Sequence, residues 1–276
     1  MSAEKKYDRF SVAQRIEHLV LILSFSTLGL TGLIQKFASA GVSQALIAIL
    51  GGIESVRIIH RVASVIFLAE SVYHLVVVGY KLFVLRLPAS MLPGLKDARD
   101  AIQALLYNIG IARQHPKMGR YNFVEKAEYW AMLWGLLVMA ITGFMLWNPI
   151  ATSKLLPGQF VPAAKVAHGG EAVLAVLAIF IWHFYSVHIK RLNLSMLNGK
   201  LSREEMEEEH ALELEVVEAG RVPQLPAPEV RRKRILWFAP LATILSLAML
   251  YGIYLFVTFE STAITTIPPV EPVREV

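Results

Sequence analysis

The sequence predicts an all-α integral membrane protein: a four-helix bundle followed by a fifth, C-terminal transmembrane helix. Three observations predict it. Of the 276 residues, 55% are hydrophobic and only 18% are charged, against about 25% charged in an ordinary soluble domain. The apolar residues gather in five blocks, each about as long as the ~20 residues a helix needs to cross a hydrocarbon core. Lysine and arginine are segregated between alternate connections of those blocks, as the positive-inside rule requires. A soluble enzyme and a disordered chain are excluded. The absence of cysteine excludes disulfides, thiolate metal centres and thioether-linked cofactors held by this chain.

The blocks run over residues 16–35, 58–82, 123–147, 166–189 and 235–259. They are too long for strands and show little period-two alternation, so each reads as a helix. The first carries His18 near its start and lacks a small-residue cleavage site, so it reads as a retained span rather than a signal peptide. Of 27 basic residues, 21 fall in the N-terminal arm, the second-to-third connection and the segment 190–234. Lys36, Arg57, Lys154, Lys165 and Arg274 fall on the other side, and Arg61 lies within a span. The N-terminus is therefore expected inside and the C-terminus outside, in a multi-pass protein of the bacterial cytoplasmic (inner) membrane. This topology accounts for the net charge of +5, so no nucleic-acid partner is expected.

Residues 95–110 read as an amphipathic cytoplasmic helix. The acidic run 204–218 reads as a solvated helix or arm, and Pro223, Pro226 and Pro228 mark a linker. The expected division is 1–192 for the four-helix domain, 193–234 for a cytoplasmic linker, and 235–276 for the fifth helix with an extracytoplasmic tail.

Spans one and three share a pattern. Arg15-x-Glu17-His18 matches Lys126-x-Glu128-Tyr129, and each is followed at the same spacing by a Thr-Gly pair, Thr31-Gly32 or Thr142-Gly143. The next span then opens with a histidine, His60 or His168. Two copies of a helix pair would form a four-helix bundle with a pseudo-twofold axis along the membrane normal.

Six of the eight histidines, His18, His60, His74, His168, His183 and His188, lie within or at the ends of spans, where ionisable side chains are costly and mark function. His60 and His74 are about 21 Å apart along a helix and about 40° apart around it. His168 and His183 are about 22 Å and about 60° apart. His60 and His168 thus share an outer level, while His18, His74 and His183 share an inner one. Two stacked levels of paired imidazoles fit two non-covalent haems with neutral nitrogen ligands on both axial faces. The expected fold is therefore a haem-binding bundle. Arg61 and Lys165 flank the outer level, while Arg15, Lys81 and Lys190 lie near the inner one, as counter-charges for propionates. Glu70 and Glu171 are candidate proton carriers. Gly29, Gly32, Gly135 and Gly143 allow close approach of a macrocycle or a helix.

These residues resemble the membrane cytochrome b (gamma) subunits of bacterial formate dehydrogenases and nickel–iron hydrogenases. The matching positions are Arg15-Ile16-Glu17-His18, Thr31-Gly32, His60, Tyr121-Asn122 with Lys126 and Trp130, Thr142-Gly143, Trp147 and Pro149. His168, His183-Phe184-Tyr185 and the stretch 196–203 also match. The resemblance covers about residues 10–210. It implies a diheme subunit passing electrons between an extracytoplasmic partner and the quinone pool. The implied ligands are His60 with His168 and His18 with His183, and the quinone site, for quinone or menaquinone, lies near the inner haem. The helix-face argument instead offers His74 with His183. His74 and His188 depart from the family pattern; each is a candidate contact for a third haem, a propionate or a quinone. The expected partners are an extracytoplasmic multihaem cytochrome or iron–sulfur subunit, quinone and membrane lipid. The fifth span and its tail are expected to bind that subunit. The chain is read as the electron-transfer subunit of a quinone-linked oxidoreductase complex of a respiratory chain. A redox-silent anchor or transporter and a stand-alone transmembrane diheme reductase are the rivals.

Overall fold

A computed structural model describes residues 5–190 and 192–258. Among the described residues the protein is all-α apart from one two-stranded ribbon, and five of these helices are long and apolar enough to cross a membrane. Strand β1 (Lys6–Asp8) leads into α1 (Val12–Lys36). A short α2 (Gly41–Ile49) leads to α3 (Ile53–Gly79), whose axis continues over Tyr80–Val84 with the wider i→i+5 hydrogen bonding. Helix α4 (Leu95–Asn108) precedes α5 (Phe123–Trp147). A short α6 (Pro149–Leu155) then leads to α7 (Phe160–Ala178), which also continues with i→i+5 bonds over Ile179–Ile189. After α8 (Ser195–Asn198) come β2 (Lys200–Ser202), α9 (Arg203–Glu209), α10 (Ala211–Glu218) and α11 (Pro228–Thr258).

The span starts are set by capping. Ser11 accepts from the Gln14 amide while Gln14 accepts from the Ser11 amide, and Asn122 and Glu125 close the same reciprocal box on α5. These boxes satisfy amide donors that a helix start leaves open. At 25 residues, α1 and α5 are each about 37 Å long, enough for a core of about 30 Å. Hydroxyls inside the spans bond back to the carbonyl one turn earlier: Ser24 to Val20, Thr27 to Leu23, Ser71 to Phe67. These three hydroxyl hydrogens are thereby kept from facing hydrocarbon. Large apolar side chains such as Leu23, Ile66, Leu137, Leu174 and Leu247 remain exposed, the surface a lipid-facing bundle presents.

Helix α1 packs on α3, α5 on α7, and α1 crosses to α7. The two helix pairs repeat one design, each with a short helix, α2 or α6, in its connection. Helix α11 lies outside them against α3 and its extension. Phe238 fills the space over Gly79, and the Phe256 ring packs on Phe144 and Trp147. The tail after α11, including Pro268, Pro269 and Pro272, and Arg191 of the basic count lie outside the described residues.

At the N-terminal end of α1 the chain builds a polar cap. Strand β1 pairs antiparallel with β2, Tyr7 opposite Leu201, and Tyr7, Leu201, Met206 and Leu214 form a buried cluster. The acidic run is therefore two short helices that bury Met206 and Leu214, not a solvated arm. Its charges are matched: Arg120 to Glu213, Arg203 to Glu218, Lys117 to Glu215. Gly199 adopts φ +80°, and a Cβ there would lie 2.8 Å from the Phe10 carbonyl, so only glycine closes this turn without a clash. Helix α4 is tied to α5 by Lys126 and Asp97 at 2.8 Å. Burial disfavours the charged Asp97, but the Lys126 ammonium and the Gly94 amide outweigh it and hold the carboxyl below its usual range.

His210 is only 1% exposed and hydrogen-bonds the Gly119 carbonyl at 2.9 Å. Burial, then the neighbouring Arg9 cation, push its pKa below the usual 6.5, against the opposing pull of Glu125 and Glu213. A lowered imidazole pKa means the unfolded cap binds the extra proton more readily, so stability falls as pH drops below about 6.5. The protection factors of the β2 amides, each taken relative to free-peptide exchange at the same pH, are expected to fall between pH 7.5 and pH 5.5. His210→Gln, which keeps a hydrogen-bonding amide without a titrating ring, is expected to flatten that dependence.

Candidate haem sites in the helix bundle

Two histidine pairs face each other at two levels. At the end nearest the cap, the His18 and His183 ring centroids are 6.4 Å apart; at the far end, those of His60 and His168 are 6.3 Å apart. Neither pair is in direct hydrogen-bond contact across the gap. A metal midway between two imidazoles needs about 2.0–2.1 Å on each side, and with ~1.1 Å from nitrogen to ring centre the centroids should stand ~6.3 Å apart. Both gaps match this span.

The nitrogens are sorted for that purpose. Thr31 Oγ1 donates to the Thr27 carbonyl at 2.6 Å and lies 2.9 Å from His60 Nδ1. Since the hydroxyl proton is committed to the carbonyl, the hydroxyl accepts, and Nδ1 carries the hydrogen. Nε2 is then left with its lone pair, the form that ligates a metal. Thr142 repeats the arrangement, 2.6 Å to the Val138 carbonyl and 2.9 Å to His168 Nδ1. Glu128 Oε2 does the same work for His183 Nδ1 at 2.8 Å. The Thr-Gly motif also makes room. A Cβ on Gly32 would lie 3.4 Å from His60 Cε1, and one on Gly143 would lie 3.3 Å from His168 Cε1. The donor set, the three fixed tautomers and the spacing therefore fit haem iron at both levels. Among the described residues, no three histidines, cysteines or carboxylates come together as a conventional metal cluster.

His183 sits where α7 has already changed to i→i+5 bonding, a wider turn that recurs at functional sites. The 60° offset from His168 expected for a regular α-helix does not hold there. His74 is turned to other partners: its Nδ1 is 3.3 Å from Glu17 Oε2 and its Nε2 3.1 Å from the Tyr129 hydroxyl. His188 is exposed and packs on Phe184 at 5.1 Å.

The remaining candidates are dispersed. Arg61 stacks over Trp147 at 4.6 Å beside the far pair, and Lys165 is exposed on α7. Lys36, which sequence reasoning counted only for topology, places its ammonium 2.9 Å from where a Gly169 Cβ would lie, next to His168. Arg15 turns away from the pair and donates to the Leu197 carbonyl, fixing the turn before Gly199. Lys190 is exposed at the cap end. Glu70 lies within electrostatic reach of Glu17 and His74. The Glu171 carboxylate rests on α5 where a Gly135 Cβ would be only 2.9 Å away. Sequence reasoning gave Glu128 and the two threonines no role as histidine partners. The repeat itself held that signal, since it put a carboxylate and a threonine at equivalent points of each helix pair.

A membrane bundle that holds opposed imidazoles at two depths, with Nδ1 of His60, His168 and His183 tied back, defines the class of transmembrane b-type cytochromes. The profile described as prokaryotic cytochrome b561 matches residues 9–199, and the chain belongs to that family. Haem b is accordingly its prosthetic group. The chain is 22% identical over 210 residues to the nitrate-inducible formate dehydrogenase cytochrome b556(Fdn) subunit of Escherichia coli K12, covering 76% of this chain and 91% of that one. The same subunit of Shigella flexneri matches equally. The formate dehydrogenase cytochrome b556(fdo) subunit of Escherichia coli K12 is 23% identical over 195 residues, covering 69% of this chain and 83% of that one.

Without cysteine no thioether can anchor the group. Acidified acetone is therefore expected to extract all haem from the purified protein, and the extract is expected to give the pyridine haemochrome spectrum of haem b.

Proposed function

We propose that this chain is the membrane subunit of a quinone-linked redox complex and carries two haem b groups. His60 and His168 hold one, and His18 and His183 hold the other. The observation that supports this best is the repeated geometry: two gaps of one width, with Nδ1 of His60, His168 and His183 each tied back so that Nε2 keeps its lone pair. When bound, the haems supply one-electron transfer. The chain's own residues orient the ligands, exclude water with an apolar bundle wall, and stack the two levels about 20 Å apart. Arg61, Lys36 and Lys165 are suited to bind propionates at the far level, and Lys190 at the cap level. Glu70 and Glu171 remain proton-path candidates. His74 and His188 are not proposed as ligands.

The cap face holds most of the basic residues, so we assign it to the cytoplasm and the far face to the outside. Electrons then cross between an extracytoplasmic redox subunit and quinone bound near the cap-level pair. The names of the relatives, subunits of formate dehydrogenases, support a catalytic partner of that kind. Helix α11 and the residues beyond it, outside the four-helix unit of 1–192, are suited to contact it. Residues 193–234 then combine the ordered cap with a linker.

Haem quantitation tests the assignment. Two haems per chain are expected in the wild type, about one in His60→Ala or His18→Ala, and two in His74→Ala. Loss of a haem in His74→Ala with retention of two in His18→Ala would transfer the ligand role to His74. Thr142→Val is expected to weaken haem retention about 10- to 100-fold, the usual effect of removing a ligand's hydrogen-bond partner.

A further inference from the structure

The cap-level pair has a mirror image within the bundle. The internal repeat relates Glu17 to Glu128, His18 to Tyr129, and His74 to His183. The carboxylate contact is preserved in both halves: Glu128 to His183 Nδ1 at 2.8 Å, and Glu17 to His74 Nδ1 at 3.3 Å. The opposite side of each imidazole differs. His183 faces His18 across an open gap of one metal's width. His74 Nε2 instead meets the Tyr129 hydroxyl at 3.1 Å, with ring centroids 5.8 Å apart. The direct hydrogen bond leaves no position for an ion.

The polarity of this chain of bonds follows from its acceptor. A carboxylate at Glu17 takes the Nδ1 hydrogen of His74, so Nε2 bears the lone pair and the phenol donates to it. The result is a phenol–imidazole–carboxylate line drawn from α5, α3 and α1. Its logic is that of a hydroxyl oriented by an imidazole, which is itself fixed by a carboxylate. Glu17 is a positioning residue here. Its side chain is only 10% exposed, whereas that of His74 is 33% exposed. The other charged or titratable groups facing this line are Glu70 and Lys81 on the helix of His74 and Tyr121 beside Tyr129.

We propose that Tyr129 and His74 form a proton relay for quinone chemistry at the cap level, with Glu17 holding the imidazole. The inference rests on the quinone-linked reading above and names the residues that move its protons. Oxidation of one quinol releases two electrons, one for each haem, and two protons. A quinol hydroxyl gives its proton to the Tyr129 oxygen as the phenolic hydrogen moves to His74 Nε2. The imidazolium so formed faces the Glu17 carboxylate and passes a proton on toward the cap face. A second pass removes the second proton. Only O–H and N–H bonds are exchanged, and the same steps run backward in quinone reduction.

The test uses the full-length, haem-loaded chain, a short-chain naphthoquinol as reductant, and stopped-flow absorbance of the haems in H2O and D2O. Wild type is expected to show a solvent isotope effect. Tyr129→Phe, which removes only the hydroxyl, is expected to slow quinol-driven haem reduction about 100-fold, within the range for loss of a positioned proton carrier. Haem content and dithionite reduction are expected to stay unchanged. His74→Gly is expected to show the same defect and to recover on addition of free imidazole. Quinol rates within two-fold of wild type in Tyr129→Phe, or a His74→Gly defect that imidazole does not restore, would overturn the relay. A wild-type chain that dithionite reduces and quinol does not would overturn the quinone-linked reading, and the relay with it.

Discussion

The structure depends on how His60, His168 and His183 are held from behind. A free imidazole can present either nitrogen, and in an apolar bundle an unsatisfied N–H is costly. Thr31, Thr142 and Glu128 remove that ambiguity by taking the Nδ1 hydrogens of His60, His168 and His183. The threonines serve only because their own hydrogens are spent on the carbonyl one turn earlier. The motif is thus a backbone arrangement as much as a side-chain one: a helical turn, a hydroxyl turned inward, and a glycine next to it that lets the ring lie flat. Two helix pairs built alike then present two ring pairs at matching separations.

From that constraint follows the division of labour between the halves. Where both sides of a gap are imidazole, the gap stays open. Where one side is Tyr129, it closes by a hydrogen bond to His74. One substitution at an equivalent point turns a candidate ligand pair into a polar line reaching three helices. The switch to i→i+5 bonding beyond Ala178 bears on the same asymmetry. His183 follows its upper histidine by one residue more than His74 does, and the wider turn absorbs that residue while the Glu128 contact is kept.

Much of this was legible in the sequence. The spans were readable because length and apolarity leave few alternatives, and their ends differ from expectation where Ser11 extends α1 and Pro228 begins α11. The His60–His168 level followed from depth alone. Partner choice at the other level did not, because angles for a regular helix put His74 and His183 on compatible faces and nothing in the composition of 179–189 announces wider turns. The cap was hidden for another reason. Strands of three residues have no readable alternation, and an acidic run reads as solvated until Met206 and Leu214 are seen packing on Tyr7 and Leu201. Arg15, read as a propionate partner, is drawn instead to the Leu197 carbonyl by that same cap.

Iron held between two histidines in both gaps is the proposal on which the quinone-linked reading rests. Low-temperature electron paramagnetic resonance of the oxidised, full-length protein addresses it without reference to any partner. Two low-spin ferric species, both with bis-imidazole ligation, are expected. A high-spin, five-coordinate signal as the main species, or a single low-spin species at one iron per chain, would contradict it.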